Sequence, residues 1–491
     1  MAGIGFALQK LREQETISAV ASSSLHAAVI AAGPWLFTVL SLITITAAAE
    51  PVAGHNVLAS FRALVIYAFS ISLVLAAPVT IVATRIVADD LWAHQTSNVR
   101  ALFFCASALS ALLVAVGVAA LAAALPVPGP FAIALYVATA IVAMLWVALA
   151  FAGAIKDYKG ITGAFAAGLV VATVLSCAAA LMGFDAAGMA YGFTTGLAVT
   201  LFGLILRICA AFPGETALLG AELHRLILGF RTYGYLAVGA FFGAAGVWAD
   251  KWVFWLSPEQ QTVQGGLIHA PLYDSAMFIA SLVMIPSLAQ FVMSLETDFF
   301  DRYQKYYGTI RDHGTFEQIE DARVKLADVS LEKLALITAA HLALAVVLIL
   351  AAPAIVDVLN LQFRQIAILR FGSFGSVFQF IFIAAASIVI FFDRRRMYCG
   401  LQFVFFLLSF ALSALTVHLG EDFYGVGYFV AAVVASLVAL IVAEHTFHTL
   451  NYLTFIGNNP SIRGHSRGFV AEVAWWLQSR LRRRAAGRTA R

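Results

Sequence analysis

Charge is what this chain has least of. Asp, Glu, Lys and Arg make up 12% of its 491 residues, against roughly 25% in a soluble globular domain. That shortage excludes a globule wetted by water on all sides. No GxxxxGK[ST] element is present, so ATP hydrolysis by a P-loop is excluded. An HExxH pair, a nucleophile elbow and a long soluble catalytic segment are missing too. We therefore expect no enzymatic activity, no cofactor and no metal centre. Cys105, Cys177, Cys209 and Cys399 stand apart with no CxxC spacing, and read as small apolar core residues of a reduced protein. A cleavable signal peptide is not apparent, because the first apolar run begins near Leu25 and is too long for an h-region.

What is present is apolar sequence in long runs. Hydrophobic residues make up 62% of the chain and the mean hydropathy is +0.90. The runs repeatedly exceed the ~20 residues that cross a bilayer as helix, and they lack the alternation of membrane strands. The expectation is an all-α membrane protein of about twelve transmembrane helices. Hydropathy places them near 24–48, 57–85, 101–125, 131–155, 161–183, 186–212, 232–256, 271–294, 333–355, 365–391, 398–418 and 423–447. With both termini cytoplasmic, all but four of the 30 basic residues fall on inside segments, as the positive-inside rule requires. The exceptions are Arg62, Lys251, Arg364 and Arg370.

The organisation suggests two six-helix lobes, 24–212 and 232–447, joined by a cytoplasmic linker, 213–231. Ser72-Leu73-Val74-Leu75-Ala76-Ala77-Pro78 in the second span parallels Ser281-Leu282-Val283-Met284-Ile285-Pro286 in the eighth. A six-span offset in one orientation is the parallel repeat of many transporters. An amphipathic segment, 1–23, precedes the lobes. The cytoplasmic loop 295–332 has two helical faces, Phe299, Tyr303, Tyr306 and Ile310, then Ile319, Ala322, Leu326 and Val329. It reads either as a hairpin packed on membrane or protein, or as a docking surface for a cytosolic partner. The tail 448–491 joins Trp476 and Leu477 to a run of arginines, and suits anionic headgroups rather than nucleic acid.

The seventh span holds Trp248-Ala249-Asp250-Lys251-Trp252-Val253-Phe254-Trp255. Entering near Thr232, the helix brings Asp250 about 27 Å along a core of about 30 Å, close to the outer interface. Trp248, Trp252 and Trp255 share one face and Asp250 points the other way. Lys251 is expected to reach Trp255 as a cation–π pair. Carboxylates are scarce at mid-depth, leaving His341 as a proton-coupling candidate; the competing reading is a packed, hydrogen-bonded histidine.

Met1-Ala2-Gly3-Ile4-Gly5-Phe6, Leu8-Gln9-Lys10-Leu11 and Gly33-Pro34-Trp35 resemble the PelG family of exopolysaccharide transporters. So do Lys156-Asp157-Tyr158-Lys159-Gly160 and Trp248-Ala249-Asp250-Lys251-Trp252. The resemblance implies the superfamily of multidrug, oligosaccharidyl-lipid and polysaccharide flippases, with a cleft lined by spans one, two, seven and eight. It also implies the inner membrane of a Gram-negative bacterium and export of an N-acetylhexosamine-rich polymer. The implied partners are a cytosolic glycosyltransferase and membrane subunits, one of them sensing cyclic di-GMP. On that basis Asp250 and Lys251 become candidates for an outer gate with Arg62 or Asp274, against an aromatic belt of Trp248 and Trp252 with a snorkelling lysine. Gly33, Pro34, Pro78 and Pro286 become candidate hinges, against simple packing kinks. Ion-coupled efflux of small molecules, flipping of a lipid-linked oligosaccharide and a non-transporting scaffold are the alternatives to polymer export.

Overall fold

The computed structural model describes residues 39–155, 158–213 and 219–457. The expectations for segment 1–23, for Gly33 and Pro34, and for the tail beyond 457 lie outside the described residues. Helix α1 (Val39–Ala53) is the described part of the first span. Gly54, at φ +76°, turns the chain into α2 (His55–Trp92). There follow α3 (Val99–Ala124), α4 (Gly129–Ile155), α5 (Tyr158–Leu181) and α6 (Ala186–Ala211). Helix α7 (Leu219–Thr232) meets α8 (Gly234–Trp255) at 83°. A small antiparallel pair, β1 (Gln261–Thr262) and β2 (Ile268–His269), precedes α9 (Pro271–Leu282) and α10 (Met284–Ser294). The chain ends its described course through α11 (Phe300–Arg311), α12 (Phe316–Val358), α13 (Gln365–Phe391), α14 (Arg395–Leu419) and α15 (Val426–His448).

Among the described residues ten helices are long and apolar enough to cross a membrane, and the bent α7–α8 pair makes an eleventh. Each coincides with a span read from hydropathy. The helix starts carry their own signals. Asp185 accepts the Gly188 N–H at the head of α6, and Thr315 with Gln318 forms a capping box ahead of α12.

The two lobes repeat the same neighbour pattern. In the first, α2 packs on α4, α3 on α4, α4 on α6 and α5 on α6. Six spans later α9 packs on α13, α12 on α13, α13 on α15 and α14 on α15. The α5–α6 contact is especially close: a Cβ on Gly196 would come within 2.4 Å of the Ala172 backbone nitrogen. Small residues allow that approach where lipid offers no hydrophobic drive between helices.

The eighth span runs beyond the membrane-length segment the sequence suggested. It breaks at Val283 and then continues through a π-helical turn, Leu295–Phe299, into α11. Pro286 accounts for the break, since proline lacks the N–H and collides with the carbonyl four residues earlier, that of Leu282. Pro78 leaves α2 continuous. Helix α12 likewise begins well before the predicted ninth span, so loop 295–332 is a helical hairpin. Its aromatic stripe is spent inward: Phe299, Tyr306, Ile319 and Leu326 form one cluster with Phe392 and Phe447. Tyr306 donates to Asn451 Oδ1 (2.8 Å) and Arg323 to the Phe447 carbonyl (3.1 Å). That face is packed on its own protein, the first of the two readings offered above.

The loops divide into an arginine-rich face (α2–α3, α6–α8, the hairpin, α13–α14) and an arginine-poor face (α3–α4, α5–α6, α8–α9, α12–α13, α14–α15). The largest apolar core fills the first lobe and crosses into the arginine-poor half of the second, taking in Trp255, Leu267, Tyr273 and Ile368. Towards the arginine-rich face the second lobe has clusters of its own, around Met397, Phe299 and Phe291.

Candidate functional site

Helix α2 is the seam between the lobes. Tyr67, Ser70, Pro78, Arg85 and Asp89 fall within an arc of about 100° on its surface at 100° per residue. Four of them bond to the second lobe. Tyr67 Oη donates to the Ile268 carbonyl (2.7 Å), and its ring stacks on Trp255 at 4.5 Å and 18°. Ser70 Oγ accepts the Trp252 indole N–H (3.2 Å). Near the other end Arg85 donates to the Ile390 carbonyl (3.1 Å), and Asp89 accepts from the Tyr233 hydroxyl. The Arg395 guanidinium lies over the Tyr233 ring (4.7 Å) and donates to the Thr232 carbonyl (3.1 Å). Asp90, one residue on, holds Arg225 of α7. On the opposite side of α2, Ser72 takes the Trp146 indole N–H (3.2 Å) from α4.

The tryptophans are therefore not a lipid-facing belt. Trp248 and Trp255 are buried, 6.3 Å apart, and Trp252 is half-buried and bonded across the seam. The opposite face of α8 looks into the second lobe. Asp250 is wholly buried; it accepts both oxygens' worth of contact from Lys251 Nζ (3.0 Å each) and one hydrogen bond from Tyr273 Oη (2.9 Å). Neighbouring helical positions project about 100° apart, and the flexible lysine stem bridges that angle. The expected pairing of Lys251 with Trp255 gives way to contacts over Trp248 (6.0 Å) and Tyr428 (5.9 Å). Tyr428 in turn donates to Gln379 (2.5 Å).

Neither Arg62 nor Asp274 hydrogen-bonds to this pair, although Asp274 lies close enough to feel the charges of both Lys251 and Asp250. Asp274 Oδ2 accepts from the Trp255 indole (2.9 Å) and the Ala270 amide (3.1 Å), while Oδ1 lacks a hydrogen bond among the described residues. Arg62 is half-buried, with Glu50 and His269 as its charged or titratable neighbours. Burial, helped by the Arg62 guanidinium, holds the His269 imidazole below its usual pKa of 6.5. Of the four proposed gate residues Arg62 stands apart from the pair, because α8 places Asp250 on the face turned away from α2. His341 is buried in the second lobe, with Nε2 3.2 Å from Ser376 Oγ and Phe380 edge-on at 5.6 Å; Nδ1 has no hydrogen bond among the described residues. Pro286 is exposed beside its break and Pro78 half-buried on the seam stripe. No metal-binding group of three or more His, Cys, Asp or Glu occurs among the described residues.

Sequence reading missed Tyr67, Ser70, Arg85, Asp89 and Tyr233 as seam residues. The signal was available in part: the i, i+3, i+4 spacing of polar groups along one 38-residue helix. Their partners lie up to 305 positions away, beyond the reach of any local pattern.

The described geometry has known counterparts. No curated protein matches the chain in sequence. Among solved structures, MATE in the straight conformation superposes with a TM-score of 0.58 at 15% identity, over 91% of this chain and 97% of that one. MATE in the bent conformation gives 0.58 at 14%, over 92% and 100%. A MOP superfamily transporter from Pyrococcus furiosus gives 0.55 at 14%, over 87% and 95%. These likenesses establish a MATE-type fold. The family model of PelG, exopolysaccharide exporter (EPS-E), matches residues 1–455. The chain belongs to the PelG exopolysaccharide-exporter family.

Proposed function

We propose that the protein carries a Pel-like, N-acetylhexosamine-rich polymer across the inner membrane, with the arginine-rich face in the cytoplasm. It serves as the membrane passage of a complex that includes a cytosolic glycosyltransferase and further membrane subunits. The observation that carries this reading is the match to the exporter family over residues 1–455. The chemistry of the seam is compatible with it. Between its ends α2 meets α8 across the seam, and α4 within its own lobe, through hydroxyls and indoles, Ser70 with Trp252 and Ser72 with Trp146, and not through charges. Indole faces and hydroxyls suit a neutral, acetylated sugar, which presents C–H faces and hydrogen-bonding edges at once.

Deleting the gene tests the reading. Surface polymer is expected to disappear, and to return when the intact chain is supplied from a plasmid. Unchanged surface polymer in the deletion strain would overturn it.

A further inference from the structure

The α8–α9 connection is built as a strap, not a tether. It belongs to the second lobe by sequence yet lies on the first. Its two strands pair Gln261 with His269 and Thr262 with Ile268, and the tip is tied by Val263 N–H to the Leu267 carbonyl (3.0 Å). The tip is buried although it is a loop: Leu267 and Ala270 are fully enclosed and Val263 nearly so. Two glycines permit the approach. A Cβ on Gly265 would strike the Phe131 ring at 2.5 Å, and one on Gly266 would strike the Pro126 carbonyl oxygen at 2.3 Å. Both partners belong to the first lobe, where α4 begins. Gly266 also has φ +76°, a conformation that side-chain-bearing residues adopt at a cost. The Tyr67–Ile268 hydrogen bond and the Tyr67–Trp255 stack complete the closure.

We infer that residues 257–270 are the seal of the arginine-poor mouth, clamped on the first lobe by Gly265, Gly266 and Tyr67, and that it must lift for cargo to leave. The inference rests on the translocation reading above. The two faces of the molecule are joined in different ways. At the arginine-poor face the joint is a continuous apolar core that takes in Val263, Leu267 and Ala270 of the strap. At the arginine-rich face it consists of solvent-reachable polar ties such as Asp89–Tyr233. Polar ties exchange readily with water, whereas a buried apolar tip excludes water until it moves as a unit.

The test uses the full chain in membranes, with Cys105, Cys177, Cys209 and Cys399 replaced by Ala and a reporter, Ser60→Cys, at a buried position of α2. A membrane-impermeant maleimide applied from the arginine-poor side reads the seal. Gly266→Ala is expected to raise the labelling rate about tenfold, the factor that corresponds to straining one left-handed position. In a second variant, Phe131→Cys with Gly265→Cys is stapled by a short bifunctional thiosulfonate. The staple is expected to abolish reporter labelling and polymer export, and a reductant to restore both. Labelling that continues at the unstapled rate overturns the seal, whatever the polymer does. Labelling that obeys the staple while surface polymer persists in the deletion strain overturns the export reading and leaves the seal standing.

Discussion

At the scale of single residues, the buried Asp250–Lys251 pair is the sharpest feature of the site. Removing one partner of a buried pair strands the other charge, at about 3–5 kcal/mol, while replacing both by neutral groups is often tolerated. Asp250→Asn and Lys251→Met are each expected to lower thermal stability in detergent. The double variant is expected to recover most of the loss, which a double-mutant cycle on melting temperature measures. Simple additivity would show that the 3.0 Å contact carries no coupling. The pair itself was legible in the sequence. Its partner was not. Tyr273 lies 23 positions away across the strap, and only the three-dimensional rotation of α8 decides whether Asp250 meets Arg62 or the interior of its own lobe. His341 illustrates the same limit: the sequence placed it in a span, and Ser376 on a neighbouring helix decides its surroundings.

At the scale of elements the sequence spoke clearly, because hydropathy and helix length obey the bilayer and need no knowledge of neighbours. The exceptions are instructive. Hydropathy ended the eighth span at 294 because polar residues follow, yet polar residues extend a helix perfectly well once it leaves the membrane. It also treated Pro78 and Pro286 alike. In α2 the chain absorbs the proline without a break, whereas at Val283 the helix parts. Pro286→Ala restores the missing N–H, and is expected to rejoin α9 to α10 and to slow export at unchanged protein level. Pro78→Ala is expected to leave export near the parental value. Surface polymer per unit of membrane protein checks both; equal effects would remove the distinction between the two prolines.

On the scale of the whole molecule, the six-span repeat visible in two proline-ended motifs became a repeat of contacts, helix pair for helix pair. The hairpin adds something the repeat lacks. Helix α12 is a single rod of 43 residues, ~64 Å at 1.5 Å per residue, and one end of it is braced against α13 and α15 through Phe392 and Phe447. Because the hairpin end is tied to the second lobe and moves with it, a pivot at the opposite, arginine-poor end makes the rod a lever arm. A rigid-body rotation of about 15°, ordinary for domain motions, swings its far end through ~17 Å. Spin labels at Phe316→Cys and at Thr96→Cys in the first lobe, in the chain without native cysteines, are expected to report distance populations more than ~10 Å apart. A single narrow distance under all conditions would mean the rod does not swing. If it does, anything that grips the hairpin from the aqueous side holds a handle on the second lobe. On the reading proposed above, a glycosyltransferase that grips the hairpin would then have mechanical advantage over the distant strap without touching it.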